Sequence, residues 1–110
     1  MIGVKIKPVS VNEVWQGKRF KTKKYREYEE ELLYILPPLE VPKADLCITL
    51  EWGFSSKSCD IDNPIKPFLD VLQKKYGFDD KHIYELNVRK KITKKGDEYI
   101  QFNIDTYVVR

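Results

Sequence analysis

The sequence predicts an α+β domain in which a small β-sheet is backed by two helices, in the order β-α-β-α-β-β. Four segments alternate apolar and polar side chains with the period of a strand, and two segments repeat apolar side chains at the spacing of a helix. The chain has 110 residues, of which 42% are hydrophobic and 13% aromatic. These values are typical of one globular domain, predicted over residues 1–110, that is small enough to gain buried surface from a partner subunit.

The first strand lies at the N-terminus, and a long loop follows it. Ile2, Val4 and Ile6 alternate with glycine and lysine until Pro8 ends the strand. Residues 9–24 have no clean period and are rich in basic and polar side chains, which predicts a loop without regular structure.

The first helix is predicted from residue 25 onward. Its apolar side chains recur at helical spacing, at Tyr25, Tyr28, Leu32 and Leu36. Four glutamates between residues 27 and 31 are expected in the first two turns, where the helix dipole favours negative charge. Pro37 and Pro38 then stop the helix.

The second strand and the second helix follow. Residues 46–54 alternate apolar and polar side chains, which predicts a strand with one apolar face. Pro64 suits the first position of a helix, with Asp62 or Asn63 as its N-cap. Gly77 closes this helix. Its buried stripe is predicted to consist of Ile65, Phe68, Leu69, Leu72 and Tyr76.

The last two strands are predicted to form a β-hairpin. Alternation resumes in residues 84–92 and again in residues 100–104. The polar segment 94–97 between them contains a glycine and predicts the turn.

Composition excludes several classes of protein. The net charge of +3 does not by itself indicate nucleic acid binding. Cys47 and Cys59, with only one histidine, argue against a zinc site and against a disulfide framework. No signal peptide and no apolar run of about 20 residues is present, so we expect a cytoplasmic protein without a membrane association.

Five carboxylates and one lysine are concentrated within residues 60–80. They are Asp60, Asp62, Lys66, Asp70, Asp79 and Asp80. Clustered carboxylates repel one another and call for a cation, and hard oxygen ligands suit Mg²⁺ or Mn²⁺. Asp60 and Asp62 are two residues apart, so on an extended segment their side chains point to the same side. Asp62, Lys66 and Asp70 are each four residues apart, which places them on one face of a helix.

Each of these residues also has an ordinary structural explanation. An aspartate at the start of a helix is most often a cap, and Lys66 with Asp70 has the spacing of a surface ion pair. It is the combination of residues that predicts a site for a divalent cation.

Basic side chains are concentrated in the long loop and the start of the first helix. They are Lys18, Arg19, Lys21, Lys23, Lys24 and Arg26. Because their charge is not balanced locally and aromatic side chains lie between them, we expect this segment to bind the phosphates of DNA. Trp15 has two open interpretations, stacking on an exposed base or anchoring the loop to the core.

The pattern of the acidic segment resembles that of the RusA family of Holliday junction resolvases. It combines Asp60-x-Asp62-Asn63-x-x-Lys66-x-x-x-Asp70-x-Leu72 with a glycine at the end of the helix and Asp79-Asp80 beyond it. The segment 8–12, the basic loop and the tyrosine-rich helix are similar to the N-terminal half of that family.

The resemblance implies a homodimeric, Mg²⁺-dependent endonuclease that cuts four-way DNA junctions by paired nicks and needs no organic cofactor. Asp60, Asp62 and Asp80 match the metal-binding acids of the family, and Lys66 matches its catalytic lysine. Two alternatives remain open at this point: a non-catalytic junction-binding protein, and a related nuclease that prefers flaps or forks.

Overall fold

A central strand, β4 (Leu46–Phe54), organises the sheet in the computed structural model, which describes residues 1–17 and 20–109. The sheet has four strands in the order β1-β6-β4-β5. The other three strands are β1 (Ile2–Val4), β5 (Ile83–Ile92) and β6 (Tyr99–Thr106). β4 runs parallel to β5 and antiparallel to β6, which in turn pairs with β1, so the sheet is mixed.

Two helices, α1 (Lys23–Ile35) and α2 (Ile65–Tyr76), contribute to the core together with the apolar side chains of the sheet. Trp52 of β4 packs edge-on against Phe68 of α2, with their ring centroids 5.7 Å apart. Phe68 also meets Phe102 of β6 at 5.6 Å. All three side chains are fully buried. The predicted α+β class, with two helices backing a small sheet, is therefore confirmed.

The predicted C-terminal hairpin is wrong, although the reversal of chain direction is right. β5 and β6 are antiparallel to each other, but β4 lies between them and pairs with both. Ile100 and Phe102 of β6 are fully buried, so this strand belongs inside the sheet, whereas β5 is half-exposed and forms an edge. The turn with Gly96 therefore crosses the end of β4.

The segment 9–24 contains regular structure that the sequence analysis did not predict. A 3₁₀ turn spans Val11–Glu13. Two short strands, β2 (Trp15–Gln16) and β3 (Phe20–Lys21), form an antiparallel pair. A capping box between Ser10 and Glu13 starts the turn. Local hydrogen bonds therefore stabilise this turn, although the sequence has no repeating pattern of apolar side chains here.

Both helix starts differ from prediction. The cap of α1 is Thr22, which places the glutamates of residues 27–31 in its second and third turns. The N-cap of α2 is Pro64, without a side-chain cap, so neither Asp62 nor Asn63 has the predicted capping role. The end of α2 is as predicted, because Gly77 adopts the left-handed conformation with φ of 74°. Neither helix in the described ranges has the length and apolar character that a membrane span needs.

Candidate active site

Asp60 and Asp62 lie on the acid loop, which we define as residues 55–64 between β4 and α2. Both aspartates are exposed. The indole N–H of Trp52 donates to the carbonyl oxygen of Ile61 at 2.8 Å. Because Trp52 is fully buried in the core, this bond fixes the residue between the two acids to the most rigid part of the domain.

Two further contacts hold the acid loop from other elements. Lys90 of β5 donates from Nζ to the carbonyl oxygens of Lys57 and Cys59, at 3.0 and 2.6 Å. The backbone N–H of Val11 donates to the carbonyl oxygen of Asn63 at 2.8 Å. Trp52, Lys90 and Val11 thus limit how far the two carboxylates can move.

Lys66 lies in the first turn of α2, between two carboxylates. Its Nζ atom is 2.7 Å from Asp70 Oδ1 and 3.5 Å from Asp80 Oδ2. The hydrogen bond to Asp70 is the main cause that raises the pKa of Lys66, and the charge of Asp80 adds to it. The ammonium group therefore stays protonated at neutral pH and acts as a fixed positive charge.

Asp80 lies close to Lys66 because the chain folds back after α2. The backbone N–H of Asp80 donates to Gln73 Oε1 at 2.9 Å, which holds the residue beside the helix. Asp79 has a different role. Its carboxylate accepts the N–H of Lys81 and caps the 3₁₀ turn Asp80–His82, and that bond is the main cause that lowers the pKa of Asp79.

The four predicted catalytic residues therefore fall into two groups. Asp80 is joined to Lys66 and Asp70 within one chain, while Asp60 and Asp62 lie on the acid loop before α2. In the part of the chain that the structure describes, no three Asp, Glu, His or Cys side chains gather into a metal site.

The chemistry of the donors nevertheless suits Mg²⁺ or Mn²⁺. Asp60, Asp62 and Asp80 offer exposed, hard oxygen atoms. Mg²⁺ is commonly held through only one or two carboxylates, with water and substrate phosphate completing its shell. The residues fit an ion whose coordination shell is completed by the substrate rather than an ion enclosed by protein groups.

A cleft of about 300 Å³ adjoins Asp60. It brings together Lys7, Lys24, Ser56 and Ser58 with this aspartate. A larger cleft of about 780 Å³ lies near the end of α2 and includes Asp79, but its lining contains neither Lys66 nor the two acids of the loop. The smaller cleft contains Asp60 but not Asp62, Lys66 or Asp80, so neither of these clefts gathers the candidate catalytic residues.

Three of the described basic residues in the N-terminal segment have partners within the chain. Lys21 lies over the rings of Trp15 and Tyr25, at 5.6 and 4.8 Å from their centroids. Lys23 pairs with Glu27 at 3.7 Å, and Lys24 pairs with Glu13. Arg26 is exposed, while Lys18 and Arg19 lie outside the described residues.

Three residues that support this site were not predicted from the sequence. Gln73, Trp52 and Lys90 belong to no motif that marks them as part of a site. Their contacts join positions 7 to 33 residues apart. Such contacts follow from the arrangement of strands and helices and leave no periodic trace in the sequence.

A comparison with protein-family models supports the resemblance. The family described as Endodeoxyribonuclease RusA matches residues 6–102, which include all six candidate residues of the acidic segment. A search of curated proteins finds no match to the chain. Because the match covers most of the 110 residues, the chain belongs to the RusA family of endodeoxyribonucleases, which resolve Holliday junctions.

Proposed function

We propose that this protein is a Mg²⁺-dependent endonuclease that resolves four-way DNA junctions by paired, symmetric nicks during recombination and repair. The observation that carries the proposal is the protonated Lys66, held between Asp70 and Asp80 at the start of the helix that follows Asp60 and Asp62. A fixed cation beside exposed carboxylates is what hydrolysis of an anionic phosphodiester requires.

Each residue of this group has a distinct task in the proposal. Asp60, Asp62 and Asp80 would hold the metal ion, Mg²⁺ or Mn²⁺, once substrate is bound, because their carboxylates do not gather in the described residues of the structure. When bound, the ion polarises the phosphate and lowers the pKa of water at the site. Lys66 offsets the charge that develops on the phosphate in the transition state, and Asp70 keeps its ammonium group charged and oriented.

The basic N-terminal segment supplies the DNA-binding surface in this proposal. Exposed ion pairs such as those of Lys23 and Lys24 contribute about 0 to 1 kcal/mol, so DNA phosphates can replace the glutamate partners at little cost. Lys24 also lines the cleft beside Asp60, which places part of this surface next to the acids. Binding is then expected to weaken steeply as salt concentration rises.

Paired nicks need two equivalent sites, which a twofold homodimer provides. The edge strand β5 supports this part of the proposal. It is ten residues long, and Tyr84, Leu86 and Ile92 are 61%, 38% and 45% exposed. Exposed apolar side chains on a long edge strand are usually covered in native proteins, and a second β5 is a partner of matching length.

Cleavage of defined substrates tests the proposal. A synthetic four-way junction, a matched duplex and a forked duplex are each incubated with the protein in Mg²⁺ or in EDTA. We expect symmetric nicks in the junction with Mg²⁺ and none in EDTA. Preferential cutting of the fork would favour a nuclease of different specificity, and tight junction binding without cutting would favour a non-catalytic binding protein.

A pair of aspartate variants tests the site within the same assay. Asp62→Asn is expected to retain junction binding and to lose cleavage, because it removes a carboxylate of the acid loop. Asp105→Asn is the matched control. Asp105 is an exposed aspartate on β6, and it lies near the start of β4, whereas the acid loop follows the end of β4. Undiminished cleavage by Asp62→Asn would contradict the assignment.

A further inference from the structure

The backbone of Asp80 is hydrogen-bonded to one side chain of α2, that of Gln73. Gln73 accepts the backbone N–H of Asp80 through Oε1 at 2.9 Å. The same amide donates through Nε2 to the carbonyl oxygen of Leu69 at 3.1 Å, one turn earlier in the helix. Because both ends of the amide are engaged, the orientation of Gln73 is fixed.

The remaining backbone donors of the 3₁₀ turn have partners of their own. The N–H groups of Lys81 and His82 donate to the carboxylate and the carbonyl of Asp79. Those bonds shape the turn internally and do not attach it to the helix. The bond between Asp80 and Gln73 is therefore the hydrogen bond that attaches the backbone of this turn to the face of α2 bearing Lys66 and Asp70, while the Asp80 carboxylate lies 3.5 Å from Lys66 Nζ.

We propose that Gln73 is a positioning residue, which sets the place of Asp80 beside Lys66. Lys66, Asp70 and Gln73 are spaced by four and three residues, which puts them on one face of α2. The inference rests on the proposed metal-dependent nuclease. It assigns a role to an uncharged residue whose described hydrogen bonds go to Leu69 and Asp80 and not to the acid loop.

The first test measures position without any metal. Amide exchange followed by NMR reports whether the N–H of Asp80 is held. Gln73→Met keeps the length of the side chain and removes the acceptor, so exchange at Asp80 should become faster on the order of fivefold. Gln73→Glu keeps an acceptor oxygen and should restore part of the protection. Exchange at Asp80 that is unchanged in Gln73→Met would overturn the proposal.

The second test measures Mn²⁺ binding by the protein without DNA. Removing a residue that orients a metal ligand typically weakens affinity by about 10-fold or more, so Gln73→Met should raise the dissociation constant on the order of 10-fold. In an Asp80→Asn background the same change should have less than about a twofold effect, because Gln73 acts through Asp80. Equal effects in both backgrounds would overturn the proposal.

Lys75→Met is the control for general damage to α2. Lys75 donates from Nζ to the carbonyl oxygen of Leu33, a contact between the helices that does not involve the site. This variant should leave Asp80 exchange and Mn²⁺ affinity unchanged. If the wild-type protein binds no Mn²⁺, the proposed metal dependence fails, whereas the exchange measurement still decides whether Gln73 positions Asp80.

Discussion

At the scale of single residues, Lys66 is held by two carboxylates that reach it by different routes along the chain. Its pairing with Asp70 follows from a four-residue spacing on a helix, and the structure has that bond at 2.7 Å. Its second partner, Asp80, lies fourteen positions away and is reached only because the chain folds back beside Gln73. Spacing along a helix is visible in a sequence, and a reversal of the chain beyond the helix is not.

Replacing Lys66 tests its catalytic role. We expect Lys66→Met to lower the single-turnover cleavage rate on the order of 10²-fold or more, because it removes a fixed charge that stabilises the transition state. Junction affinity, measured by fluorescence anisotropy, should change little. Lys74→Met is the matched control, since Lys74 lies on the same helix and also pairs with a carboxylate, that of Glu29, at 2.7 Å. A similar loss in both variants would contradict a specific role for Lys66.

Trp52 links the hydrophobic core to the acid loop. Trp52→Phe removes the bond to the carbonyl of Ile61 and part of the buried volume, so we expect a loss of about 2 kcal/mol in the free energy of unfolding. Cleavage should fall more than junction binding, because Asp60 and Asp62 lose their common anchor. Urea unfolding and cleavage kinetics measure the two effects. Trp15→Phe, at a half-exposed position, should cost less than about 0.5 kcal/mol.

At the scale of elements, local patterns predicted helices and strands but not their partners. The apolar stripe of α2 and its end at Gly77 follow from spacing and from the conformational freedom of glycine. Strand pairing depends instead on which strand has the most apolar surface to bury. Ile100 and Phe102 place β6 inside the sheet, which no turn signal between residues 92 and 99 could have revealed.

The contact between α1 and α2 has a predictable dependence on pH. Burial raises the pKa of Glu29, but the hydrogen bond and charge of Lys74 outweigh it, so the pKa lies below its ordinary value of 4.5. The contribution of this pair to stability is present above the unfolded pKa and is lost as pH falls through the folded pKa. When the pH is lowered from 5 to 3, a range that brackets this ordinary pKa, the free energy of unfolding should therefore fall less in Glu29→Gln than in the wild type.

Urea unfolding across that range measures the difference. Glu30→Gln, which changes an exposed glutamate on the same helix, should follow the wild-type pH dependence. An identical acid response in Glu29→Gln and the wild type would show that the pair with Lys74 adds nothing to stability.

At the scale of the whole molecule, we expect the edge of β5 to determine whether two chains pair. We expect the wild type to be a dimer by light scattering and Leu86→Glu to be a monomer, because a charge at this edge opposes close pairing of strands. The control is Tyr34→Glu, which changes an exposed aromatic residue of α1. If the Leu86 variant remains a dimer, the subunits meet elsewhere.

Coordinated cutting provides a second measure of the same prediction. On a junction carried by a supercoiled plasmid, a dimer should make both nicks within one binding event and release linear DNA. A monomeric variant should accumulate singly nicked circles. Linear product from a monomer would contradict the need for two joined sites.

The place of β6 in the sheet also has a consequence for folding while the protein is being synthesised. β6 follows every candidate catalytic residue in the sequence, yet it lies between β1 and β4 and covers one long side of β4. Trp52, the anchor of the acid loop, pairs with Ile100 of β6. A nascent chain that already contains every candidate catalytic residue therefore lacks the support that holds them in place. We therefore expect the candidate site to form only after β6 has been synthesised.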